Sequence, residues 1–255
     1  MTFFDFLTSN EKRSDVMYNL LIVEDDLVQS HFLANSIAKN IPDIRLYGIL
    51  STGQEALSIL ADNVIDILVL DLKLPDVSGV EILDYIRKQN GEYAPSVVVL
   101  TSHMNLLSEI IHHPCVYAYH SKVAGIECLL KTLNDLLLEK KQEKSNELIK
   151  VQITKELTTL KYNFSYVGTK YLSECIYHSY YKTDRFDINL NKEIYPILSK
   201  KYHKTINSIK CNIYQATTAM YYDIEEEALC HYLGYQINHK PKSKDIIKEV
   251  LAKIS

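Results

Sequence analysis

Polar side chains that could carry out phosphoryl chemistry follow four separate apolar segments of the chain. Glu24 and Asp25 come after one such segment, Asp71 ends another, Thr101 closes a third, and Lys122 follows a fourth. Clustered carboxylates repel one another unless a cation neutralises them, and a hard, oxygen-rich site suits Mg²⁺. A carboxylate oxygen can attack phosphorus, while an ammonium and a hydroxyl bind phosphoryl oxygens. The residue types therefore predict a phosphoryl site if the fold brings them together.

The elements that must position these residues follow from the apolar pattern between Tyr18 and Leu138. Short apolar segments alternate with amphipathic ones, and two of them are almost continuously apolar, as in parallel strands covered on both faces. This predicts an α/β fold, a doubly wound, flavodoxin-like, five-strand parallel sheet whose strand C-termini share one edge. We expect strands over 19–23, 44–50, 66–72, 96–101 and 116–120, and helices over 27–40, 54–62, 79–90 (ended by Gly91), 104–112 and 123–138.

The remainder of the chain lacks strand alternation and is predicted to be all-α. We expect an extension over 1–17, a first domain over 18–138, a charged linker over 139–150 that could be helical, and a helical domain over 151–255. Its predicted helices are 168–181, 190–202, 206–221, 224–233 and 243–254, with a further segment near 146–159.

Composition narrows the function. Residues 1–138 carry a net charge of −9 and residues 151–255 carry +4, which suggests two roles, the second involving a polyanion. No apolar run reaches the length of a membrane span, and the first residues do not resemble a secretion signal. The five cysteines include no CxxC pair, which suits reduced thiols. We therefore expect a cytoplasmic protein with no membrane partner.

The pattern within 190–221 indicates a helix-turn-helix. Ile194 and Leu198 give the first helix a buried face, a break follows at 203–205, and an apolar stripe begins at Ile206. The opposite face of the second helix would enter the major groove of DNA, although two such helices also fit plain bundle packing. The candidate phosphate contacts are Lys200, Lys201 and Lys204, and the candidate base-facing residues are Asn207, Ser208, Lys210, Cys211 and Tyr214.

Four motifs make the first domain resemble the receiver domain of two-component response regulators. They are LIVEDD (21–26), LDLKLPDVSG (70–79), LTS (100–102) and YHSK (119–122). The resemblance implies that Asp71 accepts phosphate from a histidine kinase or phosphotransfer protein. It also implies Mg²⁺ held by Glu24, Asp25, Asp71 and the Lys73 carbonyl, and a phosphoryl-binding and switch set of Thr101, Tyr119 and Lys122. One departure is Val123, which stands where many receivers have proline.

The second domain resembles the effector domain of the stage-zero sporulation response regulator, an all-helical DNA-binding module. The similar segments are 168–176, 194–202 and 233–247, together with the helix after Thr205. In the recognition helix the buried apolar positions are kept, but the family's arginines and glutamate are replaced. Cys211 and Tyr214 cannot make the bidentate guanine contacts of arginine. This predicts a related regulator with its own operator.

The leading expectation is a phosphorylation-controlled transcription factor that is not an enzyme and that pairs into a homodimer when phosphorylated. An alternative is a receiver-controlled interaction module whose helical domain binds a protein, such as a subunit of RNA polymerase, instead of DNA. A phosphotransfer intermediate is a third alternative, and it would leave residues 150–255 without a purpose.

Overall fold

The computed structural model describes residues 17–89 and 94–254, and the chain divides into two compact units, Met1–Glu139 and Lys140–Ser255. The expected extension before Met17 and the expected helix terminator Gly91 lie outside the described residues. Within the described part, no helix combines the length and apolar content needed to cross a bilayer.

The first unit is built on a parallel sheet whose strands have the order β2-β1-β3-β4-β5. Isoleucine, leucine and valine fill the three central strands, and nearly all of these residues are buried because helices cover both faces. The sheet confirms the predicted α/β fold class. The strands are β1 (Tyr18–Val23), β2 (Ile44–Leu50), β3 (Ile67–Leu70), β4 (Ser96–Thr101) and β5 (Val116–Ser121).

Two layers of helices enclose this sheet. One apolar cluster joins one sheet face to α1 and the start of α5, and another joins the opposite face to α2, α3 and α4. β3 ends at Leu70, so Asp71 lies just beyond the strand and not within it as predicted. The helices are α1 (Leu27–Asn40), α2 (Gly53–Asp62), α3 (Gly79–Lys88), α4 (Leu107–Ile110) and α5 (Ile126–Thr159).

Two predicted helices of this unit differ from the observed ones. The expected helix over 104–112 is a 3-10 turn, Met104–Leu106, followed by the single turn of α4. Pro114 disfavours helical geometry at the residue before it, which limits how far α4 can continue. The expected helix over 123–138 begins instead with a 3-10 turn at Lys122–Ala124, and Gly125 at φ 83° separates that turn from α5.

Residues 139–150 lie within α5. The segment contains neither glycine nor proline and consists mainly of glutamate, lysine, glutamine and leucine, which all have high helix propensity. The predicted linker is therefore helical throughout.

The second unit contains only helices and loops among its described residues, 140–254. Its predicted helix over 190–202 is divided in two, because Pro196 lies at the start of the second piece and has no N–H to continue the first. The helices are the end of α5 with α6 (Val167–Tyr180), α7 (Leu190–Glu193), α8 (Tyr195–Tyr202), α9 (Ile206–Asp223), α10 (Glu226–Leu233) and α11 (Ser243–Lys253).

The core of the second unit depends on a close crossing of α6 and α9. A Cβ atom at Gly168 would clash with the Asn212 carbonyl oxygen and would lie 2.9 Å from the Ala216 Cβ. The absence of a side chain at Gly168 lets the two helices approach, and the buried side chains Leu172, Ile213 and Ala216 pack in the same cluster.

We expect Gly168→Ala to destabilise the second unit by about 1–3 kcal/mol, because the added methyl must force α6 and α9 apart. Urea unfolding followed by circular dichroism measures the change. Gly48→Ala in β2 is the matched control, since a Cβ there meets only Leu21 Cδ1 at an ordinary 3.5 Å. Equal stability of the two variants would contradict the crossing.

Candidate functional sites

Three carboxylates meet at the C-terminal edge of the parallel sheet. Glu24 and Asp25 follow β1 and Asp71 follows β3, and one oxygen from each lies within 4.8 Å of the others. The side chains of Glu24 and Asp71 are only 2% and 5% exposed, whereas Asp25 faces solvent. The adjacent parallel strands β1 and β3 bring these residues together, as the sequence predicts.

The Lys122 ammonium lies between the two buried carboxylates. Its Nζ is 2.7 Å from Glu24 Oε2 and 2.5 Å from Asp71 Oδ2. Burial disfavours the charged lysine, but the hydrogen bonds to Asp71 and Glu24 outweigh it, and the pKa of Lys122 is raised. Burial raises the pKa of Glu24, and the Lys122 ammonium opposes that rise. Removing Lys122 would leave two uncompensated buried carboxylates.

The loop after β3 holds Asp71 by backbone contacts. The Lys73 amide donates to Asp71 Oδ1 at 3.2 Å, and the Gly79 amide donates to the Leu72 carbonyl at 2.9 Å. A Cβ at Gly79 would lie 2.6 Å from the Asp71 carbonyl oxygen, so only glycine lets α3 start this close to the loop. The metal-binding role expected for the Lys73 carbonyl stays a prediction.

Two further acids stabilise the loops around this site. The Asp76 carboxylate accepts from the Gly53 and Gln54 amides at 2.7 and 2.9 Å, which ties the Asp71 loop to the first turn of α2. Asp26 caps α1 by accepting from the Val28 and Gln29 amides. No local sequence pattern points to the role of Asp76, because the amides it binds lie more than twenty positions away in the chain.

Thr101 and Tyr119 share one face of the sheet. Thr101 pairs with Ser121 and Val99 pairs with Tyr119, so Thr101 and Tyr119 point to the face covered by α2, α3 and α4. The Thr101 side chain is fully buried, and its Oγ1 accepts from the His103 amide at 3.0 Å. The Tyr119 side chain is 40% exposed.

The donor set suits a hard divalent cation. Three carboxylate oxygens from Glu24, Asp25 and Asp71 can converge on one point, and Mg²⁺ prefers such oxygen ligands while keeping several waters. The exposed Asp25 leaves one side of the cluster open to solvent.

A second candidate site is the helix-turn-helix formed by α8 and α9. His203 ends α8 in a left-handed conformation at φ 51°, and Thr205 caps α9 by accepting from the Ser208 amide. Ile209 and Ile213 of α9 are buried as predicted. The opposite face of α9 exposes Asn207, Lys210, Cys211 and Tyr214, and Ser208 is half-buried.

The lysines predicted to contact DNA, either phosphates or bases, are not equivalent. Lys201 donates to both carboxylate oxygens of Glu174 at 2.8 Å, and Lys210 donates to Asn191 at 3.2 Å. Lys200 and Lys204 are exposed at the turn. The pKa of Glu174 is lowered to about 2 by its hydrogen bonds with His178 and Lys201, despite burial.

Two family models match the chain. The response regulator receiver domain matches residues 20–113, and the model described as Sporulation initiation factor Spo0A C terminal matches residues 153–254. The chain therefore combines a receiver domain of the response regulator type with a C-terminal domain of the Spo0A type. The two matches agree with the expected order of a receiver domain followed by a helical effector domain.

Two curated relatives each match part of this chain. The chain is 33% identical over 100 residues to transcriptional regulatory protein MalR of Bacillus subtilis. The aligned stretch is 39% of this chain and 42% of the relative. It is 35% identical over 89 residues to osmolarity two-component system protein SSK1 of Saccharomyces cerevisiae. This stretch is 34% of this chain and 12% of the relative. The chain therefore spans less than half the length of these curated relatives.

Solved receiver structures also align with this chain. The response regulatory domain of mrkE from Klebsiella pneumoniae shows 22% identity and a TM-score of 0.45, covering 49% of this chain and 98% of that chain. The signal receiver domain of a putative Luxo repressor protein from Vibrio parahaemolyticus shows 25% identity and a TM-score of 0.45, covering 50% and 95%.

We expect Asp76→Asn to destabilise the receiver domain, because asparagine offers one acceptor oxygen to two amides. Hydrogen bonds from the amides of Gln54, Val77 and Gly53 lower the pKa of Asp76. A lowered folded-state pKa adds stability above the unfolded pKa of about 3.9, and that stability is lost as pH falls through the lower value. Urea unfolding should show a difference between wild type and variant at pH 7 that shrinks below about pH 4. An undiminished difference at low pH would contradict this role.

Proposed function

We propose that this response regulator is a transcription regulator controlled by phosphorylation, with Asp71 as the phosphoacceptor. The observation that carries the proposal is the Lys122 ammonium held between Asp71 and Glu24 beside the exposed Asp25. The donor would be a phosphohistidine on a histidine kinase or phosphotransfer protein.

In the proposed reaction an Asp71 carboxylate oxygen attacks phosphorus, the P–O bond forms, and the P–N bond to the donor imidazole breaks. The Lys122 ammonium neutralises Asp71 before transfer and then binds a phosphoryl oxygen. The Lys73 amide holds the other Asp71 oxygen. A bound Mg²⁺, held by Glu24, Asp25, Asp71 and the Lys73 carbonyl, would supply positive charge to the phosphoryl oxygens.

Phosphorylation of Asp71 would change the conformations of the Thr101 and Tyr119 side chains. The Thr101 hydroxyl, which now accepts from the His103 amide, would turn to donate to a phosphoryl oxygen. The half-exposed Tyr119 ring lies on the same face and would turn inward into the space that Thr101 leaves. The surface around β5 would change, and this change would favour pairing of two receiver domains.

Incubation with Mg²⁺ and acetyl phosphate should add one phosphoryl group to the wild type and none to Asp71→Asn. Phosphate-affinity gel electrophoresis and intact-mass spectrometry measure the product. Chelation of the metal should abolish it, because the carboxylate cluster would otherwise repel the donor. Asp66→Asn is the matched control, because Asp66 directly precedes β3 whereas Asp71 directly follows it. Labelling of Asp71→Asn equal to that of wild type would contradict the assignment.

The proposed output is DNA binding by the helix-turn-helix. The exposed face of α9 would enter the major groove, and Lys200 and Lys204 at the turn would contact phosphates. Lys201 would contribute less than these two, because Glu174 already neutralises it.

Lys200→Ala and Lys204→Ala should each weaken DNA binding and lower the salt slope of the association constant by about 1, because each removes one phosphate contact. Gel shift against a duplex selected from a random pool measures both, with and without acetyl phosphate. Lys155→Gln is the control, because it also removes one positive charge from an exposed lysine, but on α5. Slopes equal to that of wild type would contradict these contacts.

The second candidate function is a protein-interaction module. The observations that favour it are the pairing of Lys201 and Lys210 with other side chains and the 60% exposure of the Tyr214 side chain. These features reduce the free positive charge of the face and add an aromatic contact, which suits a protein partner such as a polymerase subunit. Binding of the phosphorylated chain to no member of a random DNA pool would favour this alternative.

A further inference from the structure

A lysine from a distant loop covers the exposed aromatic ring of the recognition helix. The Lys240 ammonium lies 3.3 Å from the centre of the Tyr214 ring. It also donates a hydrogen bond of 2.7 Å to Thr218 Oγ1, one turn further along the same face of α9. The Lys240 ammonium, first as a hydrogen-bond donor and then as a positive charge, lowers the pKa of the Tyr214 hydroxyl.

The segment that carries Lys240 is fixed at both ends. It joins α10 to α11, and Ile237 before Lys240 and Pro241 after it are both buried. These anchors limit the conformational freedom of the loop. The position of Lys240 over α9 therefore depends on the packed core of the domain and on the ring beneath it.

This contact changes the charge of the recognition face. Lys210 is the only basic residue within α9, and it is bonded to Asn191. Lys240 brings a second ammonium onto that face from outside the helix. An ammonium has three donors. The bond to Thr218 uses one of them and the Tyr214 hydroxyl at most a second, so a donor remains for another acceptor. A cation over an aromatic face keeps its charge while the ring holds its position.

We infer that Lys240 is a phosphate-contacting residue of the DNA interface and that Tyr214 is its positioning residue, which acts as an aromatic platform and does not read bases. The inference rests on the proposed DNA-binding function. It assigns Tyr214 a different role from the base-facing one that its position in the helix suggests. Lys240 then adds affinity without sequence discrimination.

The test compares three full-length variants, Lys240→Gln, Tyr214→Leu and Tyr214→Phe, on two duplexes. One duplex is selected by the wild type from a random pool, and the other is its scrambled sequence. Lys240→Gln should lower the salt slope by about 1 and weaken binding to both duplexes by the same factor. Tyr214→Leu should do the same, because the platform is lost, while Tyr214→Phe keeps the ring and should behave as wild type.

A double variant and a readout without DNA separate positioning from direct contact. Lys240→Gln combined with Tyr214→Leu should bind no more weakly than Lys240→Gln alone. In NMR spectra of lysine-labelled protein, the Lys240 side-chain protons should be shifted upfield by the ring in wild type and Tyr214→Phe but not in Tyr214→Leu. Circular dichroism checks that each variant is folded.

Lys253→Gln is the matched control, because Lys253 also lies over a tyrosine ring, that of Tyr232 at 4.5 Å, whose hydroxyl bonds Glu156 of α5. It should leave the salt slope unchanged. A salt slope of Lys240→Gln equal to that of the wild type would overturn this inference but not the proposed DNA-binding function. So would loss of discrimination between the duplexes in Tyr214→Phe, since the hydroxyl would then read bases. Failure of the wild type to bind any DNA would overturn the proposed function and this inference with it.

Discussion

The ion pairs of Lys122 with Asp71 and Glu24 are the interaction on which the receiver domain depends. Two buried carboxylates a few ångströms apart are tolerated because one ammonium is bonded to both and offsets part of their negative charge. That requirement links the ends of β1, β3 and β5, since each supplies one member of the set. In the proposed phosphoryl transfer to Asp71, the Lys122 ammonium already lies where new negative charge would arrive.

The loops around Asp71 show how the fold holds this arrangement with backbone groups. Gly79 allows α3 to start against the Asp71 loop, and Asp76 ties that loop to the start of α2. Neither contact is made by the Asp71 carboxylate itself. They hold the loop that carries Asp71 against the starts of α2 and α3, and a preorganised site depends on such support.

Over its described residues, the effector domain is organised by the packing of its helices and not by a buried ion pair. Its core is set by the close approach of α6 and α9 at Gly168, and this packing presents the opposite face of α9 to solvent. The charge of that face is distributed over several elements. Lys201 is neutralised by α6, Lys210 is bonded to the residue Asn191 of α7, and Lys240 arrives from the loop before α11. The charge of this exposed surface therefore depends on several helices and one loop, and not on α9 alone.

The sequence by itself determined the fold class, the order of the elements and the convergence of Glu24, Asp25, Asp71 and Lys122. Apolar periodicity fixes which faces are buried, and parallel strands bring their C-terminal residues to one edge. It also gave α1 and β4 with their observed bounds. The lengths of helices α4 and α5 differ from the prediction. Pro114 and Gly125 interrupt the helices, and the high helix propensity of residues 139–150 extends α5. Only the tertiary structure decided which polar side chains meet: Asp76 with the α2 amides, Lys201 with Glu174, and Lys240 with Tyr214. Such pairs join residues far apart in the chain, and no periodic pattern encodes them.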